Sequence, residues 1–284
     1  MASGNIDGAM AGRVYLYWSR LYATMPLPAL EDECRHGIPQ MQKMGFNMHG
    51  TFCQMIWQCT LNLLGKSQNT VTLTGIAMDE TDDKFEKTPY KQVVATFRSY
   101  LYAIFGAFDL GAQDAIQRGD EFNKAFAGWL SGLEPFYRGV SLFAMARRRT
   151  GGSSYKTAAT KILKQLRVWL KKGCVNLEGC VCLLSAEDAA LQGKKGKVCK
   201  TLYEEAISSS VRGGFYQNAA LACERYADYL LNEEHDTDSA DSLLFQAIDY
   251  YSRWGAAKKV EILQERLRGS VLYGESLSSK LLTC

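Results

Sequence analysis

Apolar residues recur every three or four positions over most of this chain, the period of helices that each bury one stripe. Over 11–23, Val14, Tyr15, Trp18, Leu21 and Tyr22 form such a stripe, and Met25-Pro26-Leu27-Pro28 ends it. A second helix is predicted over 29–44, with Leu30, Cys34, Ile38 and Met41 inward, bent or split by Gly37 and Pro39 and closed by Gly45. The third, 47–64, is strongly apolar through Phe52, Met55, Ile56, Cys59 and Leu63. The helical period vanishes over 65–83, where Val71-Thr72-Leu73-Thr74 is extended in character, so a long connection with a short hairpin-like piece is expected. Helices resume at Pro89 and run to Phe105, with Val93, Val94, Phe97, Tyr100, Leu101 and Ile104 buried. Three more follow at 109–118, 120–130 and 134–148.

Thr150-Gly151-Gly152-Ser153-Ser154 is the clearest flexible joint and divides the chain into 1–150 and 151–284, as a corner within one continuous array. Beyond it, the helix 154–172 turns Ile162, Leu163, Leu166, Trp169 and Leu170 one way and Lys161, Lys164, Arg167 and Lys171 the other. The C-terminal half repeats itself. Leu202-Tyr203-Glu204-Glu205-Ala206-Ile207 aligns with Leu243-Leu244-Phe245-Gln246-Ala247-Ile248 at an offset of 41, and Glu187 aligns with Glu224 at an offset of 37. Two helix pairs, the second lengthened by a polar loop over 233–239, account for both offsets. In the helix 219–231, Ala219, Ala220, Cys223, Tyr226, Ala227 and Leu230 share one side, and Glu224, Arg225 and Asp228 are placed on the other. At Tyr250-Tyr251-Ser252-Arg253-Trp254-Gly255-Ala256-Ala257, one helix ends in a glycine corner and the next begins.

The expected fold is therefore all-α, a tetratricopeptide-like superhelix of antiparallel helix pairs, because each pair carries a face that only a stacked neighbour can bury. The segments Tyr203 to Ile207, Gly214 to Glu224 and Tyr251 to Val260 resemble the tetratricopeptide-like helical region of very large signalling proteins. Leu63-Leu64-Gly65, Leu73-Thr74-Gly75, Phe136 to Leu142 and Ala186-Glu187 fall in that family's order, so the resemblance covers roughly residues 14 to 267. Val175 and Cys223 depart from the family's usual Pro and Asn, which bears on local capping and packing. In such proteins a protein-kinase-like domain and an AAA-type ATPase precede this region, and a GAF domain with a histidine kinase or nucleotide cyclase often follows. The resemblance implies a regulatory, non-catalytic module, either free-standing or a piece of a multidomain kinase, ATPase or cyclase whose catalytic domains lie outside the sequence.

Composition adds constraints. With 47% hydrophobic residues the chain can bury a core, and its net charge of +3 calls for no polyanionic partner. Nine cysteines, an odd number, with no basic and apolar leader ahead of them, are expected to be reduced core thiols of a cytoplasmic protein. No stretch is long and apolar enough to cross a membrane. No cofactor or metal site is expected, since Cys180 and Cys182 are two apart and His36, His49 and His235 are scattered. Gly65-Lys66-Ser67 lacks the glycine that a phosphate loop needs five positions earlier, where Thr60 stands, and Gly193-Lys194-Lys195-Gly196 fails the same test. No nucleophile, base and orienting acid suggest a catalytic set.

What remains is basic: Arg147-Arg148-Arg149, the face of Lys161, Lys164, Arg167 and Lys171, and Lys194, Lys195, Lys197 and Lys200. That face could meet an acidic protein, an anionic membrane surface or RNA, or be an ordinary solvated face. The expected function is a protein-binding scaffold in signal transduction, with the α-helical face of Lys161, Lys164, Arg167 and Lys171 as the partner site.

Overall fold

The computed structural model describes residues 5–23, 25–119, 132–148 and 152–281. Twelve α-helices are described: α1 Ile6–Tyr22, α2 Leu27–Lys43, α3 Asn47–Leu64, α4 Tyr90–Phe105, α5 Phe108–Arg118 and α6 Leu133–Arg147, then α7 Gly152–Lys171, α8 Glu178–Leu191, α9 Lys197–Arg212, α10 Tyr216–Tyr229, α11 Thr237–Trp254 and α12 Ala257–Leu281. The helix expected over 120–130 lies outside the described residues. Among the described residues there is no strand, only one bridge between Thr74 and Asp79.

Tyr15, expected on the inward stripe of α1, is 56% exposed. The local reasons for the elements are otherwise mostly those the pattern implies, with two corrections. Despite Gly37 and Pro39, α2 is not split. Pro39 lies on the solvent side, as does Arg35, so the carbonyl that loses its helical donor is near water. Gly37 sits under α1, where a Cβ would stand 2.4 Å from the Tyr17 hydroxyl. The second correction concerns the joint, since α7 starts at Gly152, two residues earlier than the expected start at Ser154.

Neighbouring helices pair in antiparallel fashion, α2 with α3, α6 with α7, α8 with α9 and α10 with α11, and the first members α6, α8 and α10 stack on one another. The extra length of the second repeat falls at a π-helical turn, Leu230–Glu234, between α10 and α11. Its carboxylate Glu234 accepts from the backbone N–H of Gly196 (2.8 Å) and from the Tyr229 hydroxyl, fastening the turn to the α8–α9 loop.

The last helices return to the first. α12 packs on α3, and the Gln217 amide of α10 donates to the Tyr22 carbonyl at the end of α1. Where they meet, Tyr22, Tyr100, Tyr137, Tyr251 and Trp254 are all fully buried. Ring centroids of Tyr100 lie 4.9 Å from Tyr22, 4.7 Å from Tyr137 and 6.4 Å from Trp254. Five aromatics from four helices, α1, α4, α6 and α11, thus form one hub, and the buried apolar cluster is continuous from Met10 to Leu267.

The 65–89 connection is held by polar groups of α3. Gln58, fully buried, donates to Asn62 (3.0 Å) and Ser67 (2.8 Å) and accepts from the Ala77 N–H (3.1 Å). Asn62 donates to the Thr70 and Thr72 carbonyls, and Glu80, paired with Arg98, accepts from the Leu73 N–H. Lys66 points to Glu31 at 3.3 Å, so the Gly65-Lys66-Ser67 segment is engaged in holding α2, α3 and the loop together.

Candidate functional site

Two features stand out, a buried ladder of charges along the first helices of the pairs and an exposed basic face on α7. The ladder overturns one expectation from the sequence. Glu224 and Arg225, placed on the polar side of their helix by periodicity, are only 8% and 4% exposed. A first helix in a stack has neighbours on two sides, so its second face is covered as well. Arg147, read as the start of a basic surface run, is likewise turned inward, whereas Arg148 is exposed and Arg149 lies outside the described residues.

At the centre of the ladder is Glu187 of α8, fully buried. Arg225 of α10 donates to both its oxygens (Nε 2.9 Å, Nη2 3.0 Å), Arg147 of α6 adds a third bond at 3.1 Å, and the Tyr203 hydroxyl of α9 donates at 3.0 Å. Burial by itself would raise the Glu187 pKa, but the Arg225 and Arg147 guanidiniums outweigh it and hold the carboxyl down at about 2. The Arg225 guanidinium is correspondingly raised, its burial overcome by Glu187 and Asp228, and the Tyr203 hydroxyl is pushed well up by burial and then by Glu187. One step along the stack, Glu224 of α10 accepts from the Tyr251 hydroxyl of α11 (2.8 Å) and pairs with Lys259 of α12 (2.8 Å).

The two steps share a design. A carboxylate on the first helix of a pair takes a tyrosine hydroxyl from the second helix and a cation from the first helix of the next pair. Sequence comparison aligned the two carboxylates but missed the rest, because Tyr203 and Tyr251 sit at different offsets, as do Arg225 and Lys259. The detectable signal was an acidic residue inside an alanine-rich helix followed, one repeat later, by a basic one. With every carboxylate paired, the arrangement fixes the spacing of α6, α8, α10 and α12.

On α7, Lys161, Lys164, Arg167 and Lys171 are all exposed, while Leu163 and Leu166 are buried and Ile162, Trp169 and Leu170 pack on the core. Arg167 donates to Ser185 of α8 at 2.9 Å. Lys164 and Lys171 pair with no carboxylate among the described residues. Elsewhere, Cys34, Cys53, Cys59, Cys180, Cys199 and Cys223 are buried free thiols, and Cys174 and Cys182 are partly covered. Burial raises the Cys182 thiol to about 11, with Glu205 and Glu178 adding to it. Among the described residues no three His, Cys, Asp or Glu side chains come together as metal ligands, and no helix is long and apolar enough to cross a membrane.

These features define an all-α protein of stacked helix pairs, stitched internally by ion pairs. In comparison with known proteins the chain matches no family model, no curated sequence and no solved structure.

Proposed function

We propose that this chain is a non-catalytic interaction module of a signal-transduction system, a tetratricopeptide-like stack that docks an acidic protein on the basic face of α7. The observation that carries the reading is the division of α7. Its apolar side is spent on the core, while Lys161, Lys164, Arg167 and Lys171 are exposed on the other side. A single-sign face of this kind attracts an oppositely charged surface and speeds its encounter. The likeness of the segments Tyr203 to Ile207, Gly214 to Glu224 and Tyr251 to Val260, on α9 to α12, to the helical region of large signalling proteins supplies the signalling context.

The test replaces all four cations with Gln and measures binding of a fluorescent poly-glutamate peptide at two salt concentrations. The wild type is expected to bind the peptide more weakly as salt rises, and the variant to lose binding while its circular dichroism is unchanged. Equal binding by both proteins would reduce the face to a solvated surface. Preferential capture of anionic vesicles, or of an RNA oligomer with a steep salt dependence, would move the function to a membrane-surface or nucleic-acid adaptor.

A further inference from the structure

A cavity of about 320 Å³ opens between the α4–α5 corner, the end of α6, α10 and α12. We propose that it binds a small amphipathic anion, with a phosphate or carboxylate head and an apolar body. Its polar wall comprises Arg148, Arg225, Lys259 and Arg266 against Glu224 and Asp228, so cations outnumber carboxylates by four to two. Both carboxylates are committed. Glu224 holds Lys259 at 2.8 Å, and Asp228 holds Arg225 at 2.9 Å and Arg266 at 2.7 Å. Glu187, behind Arg225, is balanced in turn by Arg147.

The cation left over is Arg148. Its guanidinium lies 5.8 Å from the centre of the Phe108 ring, and the Arg225 guanidinium lies 5.0 Å from the same ring. Arg148 forms no ion pair with a described residue, and its guanidinium reaches the Met145 sulfur at 3.8 Å. Two guanidiniums therefore converge on one aromatic ring at the mouth of a cavity whose own carboxylates are already shared. An anion placed there would offset their repulsion and accept directional hydrogen bonds from Arg148 and Arg266. The rest of the lining, Phe105, Gly106, Leu221, Ile262 and Leu263 with the Phe108 ring, is apolar and suits a hydrocarbon or aromatic body. The volume is at the small end for ligand cavities, which fits a ligand of one ring or a short chain.

The site lies on different helices from the basic face of α7, so the two readings are tested apart. Isothermal titration of the full chain with phenyl phosphate, benzoate, inorganic phosphate and benzyl alcohol separates the head from the body. Saturable binding of phenyl phosphate or benzoate is expected, the tighter of the two identifying the head, with inorganic phosphate weaker and benzyl alcohol silent. Arg148→Gln, which removes no ion pair among the described residues, should weaken the binding by about tenfold or more, the usual loss for a charge-assisted hydrogen bond. Arg266→Gln should weaken it as well and carries the test if the first variant is misfolded by circular dichroism. A Lys164→Gln, Lys171→Gln double variant should bind as the wild type does. Absence of saturable binding by both aromatic anions, wild-type affinity in both arginine variants, or inorganic phosphate binding as tightly as phenyl phosphate would overturn the assignment.

Discussion

Glu187 makes the strongest demand of any residue on its surroundings. Two guanidiniums and a tyrosine hydroxyl converge on a carboxylate with no access to water, and removing its charge takes from both cations their buried partner, leaving Arg225 with Asp228 and Arg147 with Glu233. Glu187→Gln is expected to cost about 3 to 5 kcal/mol in urea unfolding, the range for breaking a buried pair by deleting one partner. A loss well under 1 kcal/mol would show that the ladder carries little of the stability. Because the folded-state pKa of about 2 lies below the ordinary 4.5, the contribution is full above pH 4.5. It is lost progressively as pH falls from there toward 2. Unfolding midpoints measured across that window should fall more steeply for the wild type than for Glu187→Gln. Gly255 is the other residue under tight constraint. Its φ of 93° is left-handed, and a Cβ would stand 2.7 Å from Pro28 at the start of α2. Gly255→Val combines backbone strain of about 1 to 3 kcal/mol with that collision, and thermal stability equal to the wild type would contradict the corner geometry.

Among the elements, the 65–89 connection depends on α3 for its shape, since it has almost no hydrogen-bonded ladder of its own. Gln58→Ala removes the acceptor of the Ala77 N–H and both donors that reach Asn62 and Ser67. The expected cost is about 1 to 3 kcal/mol for leaving a buried group unsatisfied. Hydrogen exchange should quicken over residues 67–80 while α3 and α4 keep their protection. Uniform loss across all helices would mean that the loop is no separate unit. On α7 the division of labour is complete enough that its four cations can change without touching the core, so the same four-site Gln variant should unfold within about 0.5 kcal/mol per site of the wild type.

At the scale of the molecule, the return of α12 onto α3 and of Gln217 onto the Tyr22 carbonyl changes how the stack should unfold. An open array in which each repeat touches only its neighbours can melt in stages. Here the aromatic hub joins helices from both ends, so loss of either end uncovers the same core. The expected outcome is one cooperative transition, with tryptophan fluorescence and far-ultraviolet circular dichroism coinciding, since Trp18 and Trp57 lie toward the start and Trp169 and Trp254 toward the end. Two separated transitions would show that the ends fold independently.

The helical character, most helix boundaries and the inward stripes of α3 and α4 follow from the sequence alone, because local periodicity and glycine or proline punctuation act over a few residues. Gly255 and the apolar side of α7 were legible for the same reason, and so was the exposure of Lys161, Lys164, Arg167 and Lys171. The burial of Glu224 and Arg225 was not. Periodicity separates one face of a helix from the other, but only the arrangement of neighbouring helices decides whether the polar face is also covered. Tertiary structure likewise decided the inward turn of Arg147, the hub of Tyr22, Tyr100, Tyr137, Tyr251 and Trp254, and the cavity beside Phe108. Each of these joins residues tens to hundreds of positions apart, and the angles at which the pairs stack, which bring them together, are set by the sum of many side-chain contacts and by no local signal.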